Sequence, residues 1–125
     1  LSIRRQRQMC IRDSPKADQL ENLVALHLLR RYGFNDRVFF YRRDVEVDFY
    51  LPDEETAIQV CVKLATDPKT LEREVDALEK LSKELPVKRC IIVTMEEERT
   101  IESNGRTIEV VPVWKWLLTE ASGKQ

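Results

Sequence analysis

Two short stretches decide how this chain is read: Glu46-Val47-Asp48-Phe49-Tyr50-Leu51 and, after the turn Pro52-Asp53-Glu54-Glu55, Thr56-Ala57-Ile58-Gln59-Val60-Cys61-Val62-Lys63-Leu64. Both are rich in β-branched and aromatic residues, and side chains along a strand alternate between faces. Strict alternation puts Val45, Val47, Phe49 and Leu51 on one face and Glu46, Asp48 and Tyr50 on the other. In the second stretch Ile58, Val60 and Val62 share one face while Gln59, Cys61 and Lys63 share the opposite one. If the strands are neighbours, Asp48 and Gln59 meet over a hydrophobic floor. Whether that meeting performs chemistry is the question the rest of the sequence must answer.

Working outward, Asp18 to Tyr32 reads as a helix whose leucines cover much of its circumference, stopped by Gly33. Val38 to Arg42 reads as a strand ahead of Val45 to Leu51 and Thr56 to Leu64. Asp67-Pro68 supplies a helix cap and a first-turn proline. The following helix carries Leu71, Val75, Leu78, Leu81 and Leu85 on one stripe, with Asp76/Lys80 and Glu79/Lys83 as i,i+4 pairs on its wet side. Lys88 to Thr94 has an apolar centre on both faces, as a central strand requires. A short edge piece near Thr100, a turn at Asn104-Gly105 and a strand from Thr107 to Val111 follow. Pro112 opens a final amphipathic helix with Trp114, Leu117 and Leu118. The order is α-β-β-β-α-β, then a further strand and helix: an α/β domain with a mixed sheet between helices.

Residues 1–14 stand apart. The chain begins at Leu1, which suggests a fragment of a longer reading frame. The stretch SIRRQRQMCIRDS has no apolar periodicity. It resembles the translated sequencing-adapter peptide found at the ends of some metagenomic fragments, and it is expected to be a non-native or disordered extension. A basic nucleic-acid arm or a targeting signal is the other reading of such a segment. Residues 15–120 then form the domain, and 121–125 a frayed tail. The whole chain carries 21 Lys+Arg against 22 Asp+Glu; without residues 1–14 the net charge is about −4. That is not the basic footprint of a domain that lives by holding duplex DNA.

No run approaches the ~20 apolar residues of a membrane helix, and no secretory signal is visible, so cytoplasm and no membrane partner are expected. Cys61 and Cys90 lie in strands without metal-ligand spacing and read as free thiols of a reducing compartment. No nucleotide-binding G-x-x-x-x-G-K-[ST] pattern occurs, so the chain itself is not expected to hydrolyse ATP.

Several stretches in this order carry a resemblance: Leu20-Glu21-Asn22-Leu23-Val24-Ala25-Leu26, Arg42 to Phe49, Ile58 to Val62, Ile91-Ile92-Val93-Thr94, and Val111-Pro112-Val113-Trp114-Lys115-Trp116-Leu117-Leu118. Together they resemble the PD-(D/E)XK nuclease superfamily, in particular the nuclease-like domain at the carboxyl end of bacterial and archaeal AAA+-type ATP-binding proteins. The resemblance implies a restriction-endonuclease-like αβββαβ core and an ATPase domain of the same full-length protein as partner, with DNA a further candidate. It assigns Asp48 and the helix residue Glu21 to metal binding. It also requires an acid at position 59 and a lysine at position 61, where this chain has Gln59 and Cys61.

Those departures define the expectation. A hard cation such as Mg²⁺ wants anionic oxygens. Gln59 brings an amide oxygen without the charge, and Cys61 cannot replace an ammonium that aligns water and stabilises phosphoryl charge. Glu46 could supply the missing carboxylate beside Asp48, and Lys63, roughly 7 Å further along the strand, could stand in for the lysine. On that reading Asp48, Gln59 and Lys63 are the catalytic set and Glu21, Glu46 and Asp48 hold Mg²⁺. The bland readings stand beside it: Glu21 as a capping-box residue with Asp18, Glu46 and Asp48 as a solvated face, Gln59 as a hydrogen-bonding side chain, Lys63 as a solvated strand end, His27 as a core histidine, and Trp114 with Trp116 as a hydrophobic plug. The favoured expectation is a nuclease-like domain with an eroded active site, serving recognition of nucleic acid or a partner. An active Mg²⁺-dependent DNA endonuclease and a purely protein-interacting domain are the rivals.

Overall fold

A computed structural model describes residues 15–32, 39–42, 46–64 and 68–123. Residues 1–14, Gly33, Val38, Val45, Asp67, Lys124 and Gln125 lie outside the described residues, and so do the expectations placed on them. The elements are α1 (Pro15–Tyr32), β1 (Phe39–Arg42), β2 (Glu46–Leu51), β3 (Thr56–Val60), α2 (Pro68–Glu84), β4 (Arg89–Thr94), β5 (Arg99–Ser103), β6 (Arg106–Pro112) and α3 (Val113–Gly123). The expected α-β-β-β-α-β order is present. Its continuation is a β5–β6 hairpin followed by α3.

One six-stranded mixed sheet runs β1-β2-β3-β4-β6-β5. β2 pairs antiparallel with β1 and β3, β3–β4 and β4–β6 are parallel, and β5 closes one edge antiparallel to β6. β4 sits between two parallel neighbours, and Cys90 to Thr94 are all buried. That is the environment its continuous apolar run demanded. Asn104 and Gly105, both at positive φ, make the tight turn between β5 and β6, the conformation favoured in two-residue hairpin loops.

Helices cover both faces. On one, α2 packs through Leu78 and Leu81 over Ala57, Cys61, Cys90, Ile92 and Ile108. On the other, Leu20, Val24 and Leu28 of α1 and Trp116 of α3 pack over Phe49, Ile58, Val60, Ile91 and Val93. The α2 stripe is turned slightly from the leucine pattern: Thr70 and Glu74 are buried with Leu78 and Leu81, while Leu71, Val75 and Leu85 lie partly buried at its flanks.

Four details depart from the sequence reading. α1 begins at Pro15, so Asp18 is already inside the helix and cannot be its cap. The same helix is one-sided rather than covered all round: Leu23 and Leu26 are exposed. Pro112 ends β6, and α3 starts one residue later. Among the expected helix pairs, Asp76 meets Lys80 at 3.3 Å, whereas Glu79 turns to Ser103 and Asn104 on the hairpin.

The fifth departure matters most. Phe39 pairs with Tyr50 and Tyr41 with Val47, two steps along β1 against three along β2. One extra residue is therefore accommodated in β2 between Val47 and Tyr50, as in a β-bulge. The phase of alternation slips there. Val47 joins Tyr50 on the α2 side, while Phe49 and Leu51 face α1 and α3. Strict alternation had placed Val47 with Phe49.

Candidate functional site

Asp48 sits at this slip. The β2–β3 ladder runs Leu51↔Thr56, Tyr50↔Ala57, Phe49↔Ile58; continued by one pair, it sets Asp48 opposite Gln59. At that point side chains replace backbone partners. The Asp48 amide donates to Gln59 Oε1 at 2.9 Å, and the Val60 amide donates to Asp48 Oδ2 at 2.7 Å. Both residues are 0% exposed. Beyond this pair β3 stays with β4, since the Cys61 amide donates to the Val93 carbonyl at 3.0 Å and the Met95 amide to the Val62 carbonyl at 3.3 Å.

The arrangement solves a backbone problem. Where two strands part, their amides lose ladder partners, and a buried amide without one costs free energy of ~1–3 kcal/mol. Asp48 and Gln59 turn into the seam and supply acceptors. Bonds from amides to an ionised carboxylate are the stronger kind. A second acid at position 59 would place like charges together in a seam closed to water, an arrangement that raises a carboxyl pKa and costs stability. Gln59 offers the acceptor without that charge.

Of the other expected residues, Lys63 is exposed, past the end of β3. Glu21 lies on α1, whose core residues face Phe49, Ile58 and Val60. Gln59 alternates with Ala57 and Cys61, which face α2, so Glu21 and Gln59 belong to helix layers on opposite sides of the sheet. The Glu46 side chain is outside the described residues. Cys61, where the resemblance requires lysine, is 2% exposed and packed under α2, with its thiol 3.7 Å from the Lys63 carbonyl.

Among the described residues, Asp48 and Gln59 are not arranged as open ligands for Mg²⁺. One Asp48 oxygen and the Gln59 oxygen already accept backbone protons, and both side chains are sealed from solvent. Among the described residues no group of three or more His, Cys, Asp and Glu is arranged to hold a metal ion. A groove of about 650 Å³ between α2 and β5 is lined by Leu71, Val75, Ile101 and Glu102 among others, and one of about 280 Å³ lies beside α3; neither includes Asp48 or Gln59.

Two features escaped the sequence. Glu74, a buried carboxylate on α2, stands inside the apolar stripe, between Leu71 and Leu78. Trp114 and Trp116 part company: Trp116 is buried with its ring edge-on to His27 at 5.1 Å, and Trp114 is exposed. Their i,i+2 spacing on a helix, ~200° apart, was the available signal.

Among the described residues no helix is long and apolar enough to cross a membrane. No solved structure matches the chain. An uncharacterized protein of Methanocaldococcus jannaschii is 42% identical over 110 residues, covering 80% of this chain but only 24% of that protein. The chain thus spans about a quarter of the length of this relative. The family described as "Domain of unknown function (DUF4143)" matches residues 18–116, and the chain belongs to that family.

Proposed function

We propose that this is a nuclease-like domain of a larger, cytoplasmic ATP-binding protein in which the cleavage site has become a structural seam. The domain then serves recognition instead of hydrolysis. One observation carries the reading: the aspartate that the PD-(D/E)XK resemblance assigns to metal spends a carboxylate oxygen on the Val60 amide, with Asp48 and Gln59 both closed to water. Two-metal hydrolysis needs anionic ligands open to substrate and a group that aligns water. Loss of either electrostatic element is typically worth ~10²–10³ in rate. The larger protein is supported by the length of the relative and by the usual position of this family, carboxyl-terminal to AAA-type ATPases.

The test is cleavage of supercoiled, linear and branched DNA by the chain with Mg²⁺ or Mn²⁺. No conversion is expected. Metal-dependent cleavage abolished by Asp48→Ala in a folded protein would instead establish the endonuclease, and a further loss on Lys63→Ala would make that lysine the catalytic replacement. DNA binding and its salt dependence, measured alongside, separate recognition of nucleic acid from recognition of a protein partner. A specific observation favours the protein: among the described residues, the large apolar side chains exposed on helices lie on α1 and α3 and none on α2.

A further inference from the structure

β5 ends the sheet, and among the described residues it pairs with β6 alone. Such an edge offers backbone donors and acceptors to a further strand. Which groups it offers follows from the hairpin. Asn104 and Gly105, both at positive φ, form a two-residue turn, so the Ser103 carbonyl faces the Arg106 amide across it. Inward and outward orientation alternate along the strand from that pair. Ser103, Ile101 and Arg99 therefore direct their backbone groups to β6, while Glu102 and Thr100 direct theirs outward.

The same register sorts the side chains. Arg99 pairs with Val110 and Ile101 with Ile108, both packed beneath α2, so Arg99, Ile101 and Ser103 belong to the α2 face. Thr100 and Glu102 belong to the other face, where the Thr107 hydroxyl donates to the Glu102 carboxylate at 3.0 Å. On the α2 face the edge borders the groove of about 650 Å³, whose apolar lining is Leu71, Val75 and Ile101. At the hairpin end the Glu79 carboxylate accepts from Ser103 and Asn104. Arg99 is exposed at the opposite end of the strand.

We propose that β5 pairs with β5 of a second copy, antiparallel about a two-fold axis at Ile101, joining the two sheets into one. Charge complementarity selects this occupant and its register. Outward groups must meet outward groups, which limits the alignments. Thr100 opposite Thr100 would set Glu98 against Glu102, and Glu102 opposite Glu102 would set those carboxylates together; like charges directly opposite are destabilising. Thr100 opposite Glu102 avoids both. It also sets Arg99 opposite Ser103 of the second copy, where the long guanidinium side chain reaches the Glu79 carboxylate held there. The two-fold axis repeats that ion pair, as a self-complementary interface requires. Ile101 meets its own counterpart on the axis and covers the apolar lining of the groove. The hydrogen bond from Thr107 draws the Glu102 carboxylate back toward β6, away from the axis. None of this depends on the state of the Asp48 seam or on the length of the parent protein.

Sedimentation of the 125-residue chain over a range of concentrations tests the pairing, with amide exchange read alongside. A monomer–dimer equilibrium is expected. The Thr100 and Glu102 amides should exchange about tenfold or more slowly where the dimer prevails than where the monomer does. Thr100→Pro removes an outward donor and leaves the β5–β6 ladder intact, as proline on an edge strand can. Arg99→Glu turns the cross-copy ion pair into repulsion at an exposed position. Each change should raise the dimer dissociation constant about tenfold or more while the urea midpoint of the monomer holds, and hydrogen bonds to charged groups are of that size. A monomer at every concentration overturns the proposal. So does a dimer that survives both variants, or one abolished by Trp114→Ser, which would place the contact on α3. Slowing of the same two amides only on addition of an unrelated extended peptide would also overturn it, because the edge would then serve a foreign strand.

Discussion

Asp48 and Gln59 are bonded through a side chain where their strands would otherwise pair through the backbone: Gln59 Oε1 accepts the Asp48 amide proton at 2.9 Å. Asp48 in turn accepts the Val60 amide proton at 2.7 Å. The first prediction follows from that reciprocity. Asp48→Ala leaves the Val60 amide buried without this partner, and hydrogen bonds to charged groups are worth ~1.5–3 kcal/mol. Urea unfolding should show a loss of about that size. A variant as stable as the parent would mean the seam holds nothing together.

Gln59→Glu tests the charge argument separately. The acid keeps an acceptor for the Asp48 amide but adds a second carboxyl to a sealed site, and such a pair resists double ionisation. Its folded-state pKa should be raised, so the variant is least stable at neutral pH and recovers as pH falls and the carboxyl takes up a proton. A destabilisation that is flat between pH 7 and pH 4, after subtraction of the parent's own curve, would contradict this.

Lysine at position 61 should not restore a catalytic centre. Cys61 is packed among Ala57, Leu64 and Leu78 beneath α2, and an unpaired buried charge typically costs ~3–5 kcal/mol. Cys61→Lys is therefore expected to unfold at markedly lower urea than Cys61→Ala, and the double change with Gln59→Glu to show no nicking. Nicking by a stable double variant would revive the nuclease reading at once.

Much of this was legible in the sequence, for reasons that can be named. The unbroken apolar run from Cys90 to Val93 belongs to a strand with parallel partners on both sides. The meeting of Asp48 with Gln59 followed from the short turn at Pro52–Glu55, which fixes antiparallel neighbours. What could not be read was the bulge in β2. An extra residue leaves no mark in composition, yet it moves Val47 to the α2 side and aims Asp48 into the seam. Nor could the sequence separate buried from exposed leucines on α1. Leu23 and Leu26 have the same hydropathy as Leu20 and Leu28, and only the position of the sheet decides between them.

Cys90 gives a pH signature. Burial pushes its thiol above the usual value, partly offset by the Arg106 guanidinium beside it. The unfolded chain then releases this proton at lower pH than the native one. The contribution is constant below the ordinary thiol pKa and is lost progressively as pH rises through it, up to the native value. Urea midpoints between pH 7 and pH 10 should fall more steeply for the parent than for Cys90→Ala. Parallel curves would remove Cys90 from the alkaline limb.

The closure of the Asp48–Gln59 seam to metal is the centre of the account, and Mn²⁺ titration followed by amide NMR tests it most directly. A bound paramagnetic ion at Asp48 would broaden the Asp48 and Val60 amides before all others. The account predicts no selective broadening there at millimolar Mn²⁺, with losses confined to exposed carboxylates such as Glu96 and Glu98. Selective broadening of those two amides at sub-millimolar Mn²⁺, abolished by Asp48→Ala in a folded protein, would contradict it.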